Sequence, residues 1–142
     1  MPHTRLLVHA VWTTVDRKPL MTKGHKNELC KHIRDFTISE NIQLLNINGH
    51  HEHMHVLLSI LPEQNVSTLI NLIKGESAFW ANKNMKWTET FSWQFDFFAA
   101  SISQSHMEKV HHFIDNQEKL HQKKTFEEEY NKFIKKNLFE MG

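Results

Sequence analysis

The chain has 142 residues, a formal net charge of +1 and 39% hydrophobic residues, with ten Phe and four Trp among its aromatics. That is enough apolar material for one domain with a real core, and too little net charge for bulk electrostatics to point to a polyanionic partner. The single cysteine, Cys30, excludes an internal disulfide framework, and no run of eighteen apolar residues offers a membrane span. The N-terminus MPHTRLLVHAVW lacks the segment order of a signal peptide, so a cytoplasmic location is expected.

The stretch Thr4–Thr14 is apolar on both of its alternating faces apart from His9, which predicts a central strand. A turn is expected over Asp16–Pro19. From His25 to Glu40 the spacing of Leu29, Ile33, Phe36 and Thr37 predicts a helix. Ile42–Gly49 reads as a second strand, Gly49 as a turn, and His53–Leu61 as a third strand that Pro62 ends. Asn65–Lys83 carries Val66, Leu69, Ile70, Ile73, Phe79 and Trp80 at helical spacing, with Gly75 inside it. A polar and aromatic loop, Met85–Asp96, leads to a short fourth strand, Phe97–Ser103. Ser105 and Glu108 form a capping-box pattern for a helix that places Val110, Phe113, Ile114 and Gln117 on one face. The last helix, Phe126–Leu138, mixes charges of both signs and reads as solvated.

This order predicts an α+β fold, a ferredoxin-like or RRM-like βαββαβ antiparallel sheet with C-terminal helices. One face of the sheet would carry helices and the other would be available for a ligand. No linker or repeat divides the chain, so residues 1–142 are expected to form one domain, with 105–142 as a helical extension.

Twelve histidines are the compositional surprise. The densest group is His50-His51-Glu52-His53-Met54-His55. In a strand His53 and His55 project to the same face, with Cα atoms roughly 6.5–7 Å apart, so two imidazoles can reach one cation. Met54, Val56, Leu58 and Ile60 then face the core. Two ligands do not make a site, and a His-rich turn with ordinary surface histidines is the competing reading.

Five motifs, in order, resemble the single-tyrosine HUH transposases of small bacterial insertion sequences. They are His9-Ala-Val-Trp-Thr-Thr followed by Arg17-Lys18-Pro19-Leu20, then His53-Met54-His55, then Leu72-Ile73-Lys74-Gly75-Glu76-Ser77, then Trp93-Gln94, and finally Phe113-Ile114-Asp115-Asn116-Gln117-Glu118. REP-associated tyrosine transposases are relatives of that family. The resemblance implies a single-stranded DNA transposase that binds hairpin ends as a homodimer, the late helix of one subunit completing the site of the other. It implies a divalent ion, Mg2+ or Mn2+, held by His53, His55 and Gln117, with His50 as a weaker candidate. It also implies a tyrosine on the late helix that attacks the phosphorus and becomes linked to the 5′ phosphate, releasing a 3′ hydroxyl.

At that tyrosine's position stands Phe113, which has no hydroxyl. Three explanations stay open: an introduced Tyr-to-Phe change, an inactive descendant, or a nucleophile elsewhere in the chain. Tyr130, the one tyrosine, lies seventeen residues later and reads as a structural or surface aromatic. Arg17, Lys18 and Lys74 are the expected DNA contacts, with Arg5, Lys83 and Lys86 as further cations and Trp80, Trp87 and Trp93 as possible stacking platforms. A non-cleaving hairpin-binding protein and a ferredoxin-like metal or small-ligand regulator are the alternative functions.

Overall fold

The computed structural model describes residues 3–137. Strand β1 (Leu6–Thr13) is followed by helix α1 (Lys23–Ser39), strands β2 (Gln43–Gly49) and β3 (His53–Ile60), helix α2 (Val66–Asn84) and strand β4 (Phe98–Ile102). Three helices close the chain: α3 (Met107–Asp115), the short α4 (Gln117–Leu120) and α5 (Phe126–Asn137). The strands form one antiparallel sheet in the order β2-β3-β1-β4, the ferredoxin-like arrangement expected from the sequence. Leu138, the predicted end of the last helix, lies outside the described residues. No helix among the described residues is long and apolar enough to cross a membrane.

Alternation along the strands divides the sheet into two chemically different faces. Val8, Ala10 and Trp12 of β1 and Met54, Val56, Leu58 and Ile60 of β3 join Leu29 and Ile33 of α1 and Leu69, Ile70 and Ile73 of α2 in the main core. Each such large side chain, fully buried, contributes about 1.5–3 kcal/mol. The intervening residues His9, His53 and His55 take the opposite face. Helix α1 starts at a Thr22–His25 capping box, in which each side chain accepts from the other residue's backbone N–H. Gly49, paired with Met54 across the β2–β3 turn, sits so close to it that a Cβ would overlap the carbonyl oxygen of His53.

Two expectations are corrected here. The second sheet face is not free, because α3, α4 and α5 cover it. The late helix also does not start at Ser105: Gln104–His106 form a 3-10 turn, and α3 begins after His106 with no side-chain cap. Ser103 and Ser105 instead engage each other and His106.

Candidate functional site

Helix α3 is held to the sheet by two asparagines of β2. Asn46 Nδ2 donates to Asp115 Oδ1 at 2.8 Å, and Asn48 Nδ2 donates to the Ile114 carbonyl at 2.9 Å. Lys26 in turn donates to Asn48 Oδ1 at 2.8 Å, fixing the amide's orientation. Ile114 is fully buried beneath this clamp. The Phe113 ring therefore meets both imidazoles edge-on, with ring centres 5.3 Å from His55 and 5.9 Å from His9. One residue beyond the helical break at Asn116, the side chain of Gln117 enters the centre of the site.

His53 and His55 were expected on an exposed face; they are 0% and 1% exposed. What buries them is α5. Phe126 stacks on His53 with ring centres 4.2 Å apart, and Phe133 packs against His9 at 5.2 Å. Between them α5 inserts Glu129, itself buried. Its carboxylate oxygens lie 2.8 Å from His121 Nε2, 2.9 Å from His55 Nε2 and 3.4 Å from His53 Nε2. The final helix is thus a wall of the site, which corrects its reading as merely solvated.

Gln117, the third ligand expected from the resemblance, is also completely buried. Its Oε1 lies 2.8 Å from His53 Nε2 and 3.2 Å from His121 Nε2, and its amide donates to Glu129 Oε1 at 2.9 Å. His53, His55, Gln117 and Phe113 therefore meet as the motifs suggested, and all of them belong to one chain. His50 stays at the rim, stacked on His121 at 4.9 Å. The sequence reading missed Glu129, His121 and the two asparagines. Glu129 carried no local signal, because a glutamate in a Glu-Glu-Glu run looks like any solvated helix residue.

The electrostatics of the cluster are uneven. Burial disfavours the charged form of His53, but hydrogen bonding to Glu129 and Glu52 outweighs it and lifts the pKa to about 9. Burial lowers the pKa of His55, and burial with the neighbouring His55 lowers that of His9 to about 3. Burial opposes ionisation of Glu129, yet the imidazoles of His121, His53 and His55 around it hold its pKa far below the usual carboxylate range. The centre therefore holds a carboxylate, a cationic His53 and two neutral imidazoles.

The same cluster suits a metal ion. His53, His55 and Glu129 each offer a ligand atom within 4.8 Å of the others. His53 Nδ1 is braced by Glu52 Oε1 at 2.6 Å, and His55 Nδ1 by His9 Nε2 at 2.9 Å, the outer contacts that orient ligating imidazoles. His55 Nε2 is buried without a hydrogen-bond partner, because Glu129 Oε1, though near, lies off the ring's N–H direction. An unpartnered imidazole nitrogen beside a buried carboxylate oxygen is a donor set suited to a divalent cation.

The expected DNA contacts behave differently from one another. Lys18 is exposed and pairs with Glu89 at 3.0 Å. The Arg17 guanidinium lies 4.6 Å over the Tyr130 ring and 5.5 Å over Phe126, so it packs against α5. Tyr130 also packs edge-on against Phe98, which makes it a structural aromatic. Lys74 is buried, and its ammonium donates to the carbonyls of Gln94, Phe95 and Asp96 at 2.7, 3.0 and 2.8 Å. All three of its protons are used inside the protein, so the phosphate contact expected of it is not available in this structure. Ser77, from the same motif, accepts from Trp93 Nε1 at 3.0 Å. Two of the five motifs therefore serve to fasten α2 to the segment that leads into β4.

The sequence profile of the family described as "Transposase IS200 like" matches residues 3–117. The chain belongs to this IS200-like transposase family. The match ends at Gln117, so α5 and its Glu129 lie beyond the matched region. No curated protein sequence matches the chain closely. Among solved structures, a candidate transposase of Deinococcus radiodurans R1 superposes with a TM-score of 0.62 at 20% identity, covering 82% of this chain and 93% of that one. A REP-associated tyrosine transposase bound to a REP hairpin superposes with a TM-score of 0.63 at 14% identity, covering 85% of this chain and 74% of that one. At these identities the likeness establishes the shared fold, and family membership supplies the link to DNA processing.

Proposed function

We propose that this chain is a metal-dependent, single-stranded DNA transposase by descent that binds hairpin DNA, with DNA cleavage switched off by Phe113. The observation that carries the reading is the Phe113–His55–His53–Gln117 constellation. The ring of residue 113 lies against the imidazole pair, and Gln117, four residues on, touches His53. A phenol at this position would bring its oxygen to the edge of a cation-binding centre. The benzene ring that stands there has no atom able to attack phosphorus.

His53, His55 and either Glu129 or Gln117 would hold the Mg2+ or Mn2+ ion. The chemistry such an ion supplies is polarisation of the scissile phosphate and neutralisation of its developing charge. The protein's own part is to orient His53 through Glu52 and His55 through His9, to pack Phe126 on His53 and Phe133 on His9, and to aim residue 113. Hairpin DNA as the partner is supported by family membership and by the likeness to the hairpin-bound REP-associated transposase. The homodimer implied by the resemblance is part of this proposal. Analytical ultracentrifugation tests whether two copies associate, a monomer at all concentrations counting against the dimer.

The decisive experiment compares the chain with its Phe113→Tyr variant on end-labelled single strands carrying hairpins, with and without Mn2+. A covalent protein–DNA band is expected with tyrosine and metal together, and with neither alone. Equal cleavage by both proteins would move the nucleophile elsewhere and end the assignment. Hairpin binding by the tyrosine variant with no covalent product would favour the non-cleaving hairpin-binding reading.

A further inference from the structure

Beside the buried cluster, β4, α3 and α5 enclose a cavity of about 500 Å³ that runs from solvent to His9, Phe113 and Glu129. We infer that this cavity receives one unstacked nucleotide of the DNA single strand, its base inside and its neighbouring phosphates on the lysines at the mouth. The inference rests on the transposase reading and specifies where its substrate lies.

Three observations carry it. The walls are apolar and partly aromatic: Ile102 from β4, Val110 and Phe113 from α3, and Phe133 from α5. A base without its stacking neighbours finds there the flat and aliphatic surface it has lost, which is how single-stranded nucleic acids are commonly held. The size agrees, since small-molecule pockets span roughly 300–1,000 Å³.

The mouth carries Lys109 of α3, Lys124 of the turn before α5, and Lys132 and Lys136 of α5, and all four are exposed. Among the described residues none of these four pairs with a carboxylate. Four exposed lysines around an apolar hollow, without a carboxylate partner among the described residues, form a local patch suited to phosphates. An apolar peptide or lipid tail would fill the walls but leave these charges unanswered.

The third observation is position. The inner end of the cavity is the Phe113 ring, whose edge contacts with His9 and His55 place it between the cavity and the cation-binding residues. A strand seated with its base in the cavity has its backbone beside residue 113. Ser101, on the last strand of the sheet, and His106, whose Nδ1 is held by Ser103, put polar groups along one wall. They suit the polar edge of a base, not a hydrocarbon.

The test uses the full chain and a fluorescein-labelled, mixed-sequence single strand of about ten nucleotides, within the usual range of site sizes. Anisotropy gives the affinity at several salt concentrations, and strands containing 4-thiothymidine are cross-linked by light and mapped by mass spectrometry. Val110→Trp fills the cavity; the Lys132→Ala, Lys136→Ala double variant leaves the cavity intact and strips half its mouth. The expected result is a loss of affinity of about tenfold or more in Val110→Trp, the scale of one lost stacking contact. The lysine variant should show a weaker salt dependence, and cross-links should fall on α3 and α5. A melting curve for each variant confirms folding, and the lysine variant keeps the question decidable if Val110→Trp unfolds. Wild-type binding that neither folded variant changes, with cross-links elsewhere, overturns the cavity assignment and leaves the transposase reading standing. No binding of single strands by the wild type defeats both.

Discussion

Lys74→Met separates a structural from a DNA-binding role for a residue that sits in a family motif. The Lys74 ammonium donates to three consecutive carbonyls, at 2.7, 3.0 and 2.8 Å, in the segment that enters β4. A hydrogen bond involving a charged group contributes about 1.5–3 kcal/mol. Three would exceed about 4 kcal/mol, but burying the ammonium offsets part of that, and the same burial lowers the Lys74 pKa. The net loss in Lys74→Met is therefore placed at about 2–4 kcal/mol. With a urea m-value of about 2 kcal/mol/M, the unfolding midpoint should fall by about 1–2 M. Lys18→Met is the control: it breaks only the exposed, solvent-screened pair with Glu89 and should leave the midpoint nearly unchanged. Both variants are then titrated with single-stranded DNA across salt, where loss of one phosphate contact reduces the slope of log K against log salt by about 0.7. An unchanged midpoint for Lys74→Met together with a reduced salt slope would refute the clamp and restore the phosphate contact.

Isothermal titration with Mn2+ should show binding that disappears in the His53→Ala, His55→Ala double variant. Glu129→Ala should weaken it more than Gln117→Ala, since a carboxylate both ligates and neutralises; the reverse order would return the third ligand to Gln117. His9 supplies a pH test: its pKa is about 3 in the folded chain against about 6.5 unfolded, so the unfolded state binds more protons between those values. Its contribution is present above pH about 6.5 and is lost as pH falls toward 3, so stability of His9→Gln measured in urea from pH 7 to 4.5 should decline less steeply than wild type. Parallel curves would show that His9 does not stay neutral in the fold. Gly75, mid-helix with open space where a Cβ would go, should gain about 0.5–1 kcal/mol on replacement by Ala. A drop in melting temperature would mean that the space beside Gly75 is not open.

Much of this protein is written locally. Periodicity marks the four strands and two packing helices, because strand alternation and helical spacing act over a few residues and need no distant partner. The alternation of His53 and His55 with Met54 and Val56 fixes which side chains share a face, and five motifs in order carry family membership. What only the folded chain could decide is what stands opposite those histidines. Glu129 lies far along the sequence in a run of glutamates, and nothing near it distinguishes the one that is buried. Its role comes from α5 docking through Phe126, Tyr130 and Phe133, aromatic contacts made across the whole length of the domain. Lys74 teaches the same lesson in reverse: a lysine in a motif suggests phosphate, but three carbonyls brought by the β4 approach claim its protons first. Charge and spacing are properties of the chain, whereas burial and pairing belong to the fold, and it is burial that turns a glutamate of ordinary sequence context into the centre of a site and a motif lysine into the clamp beside it.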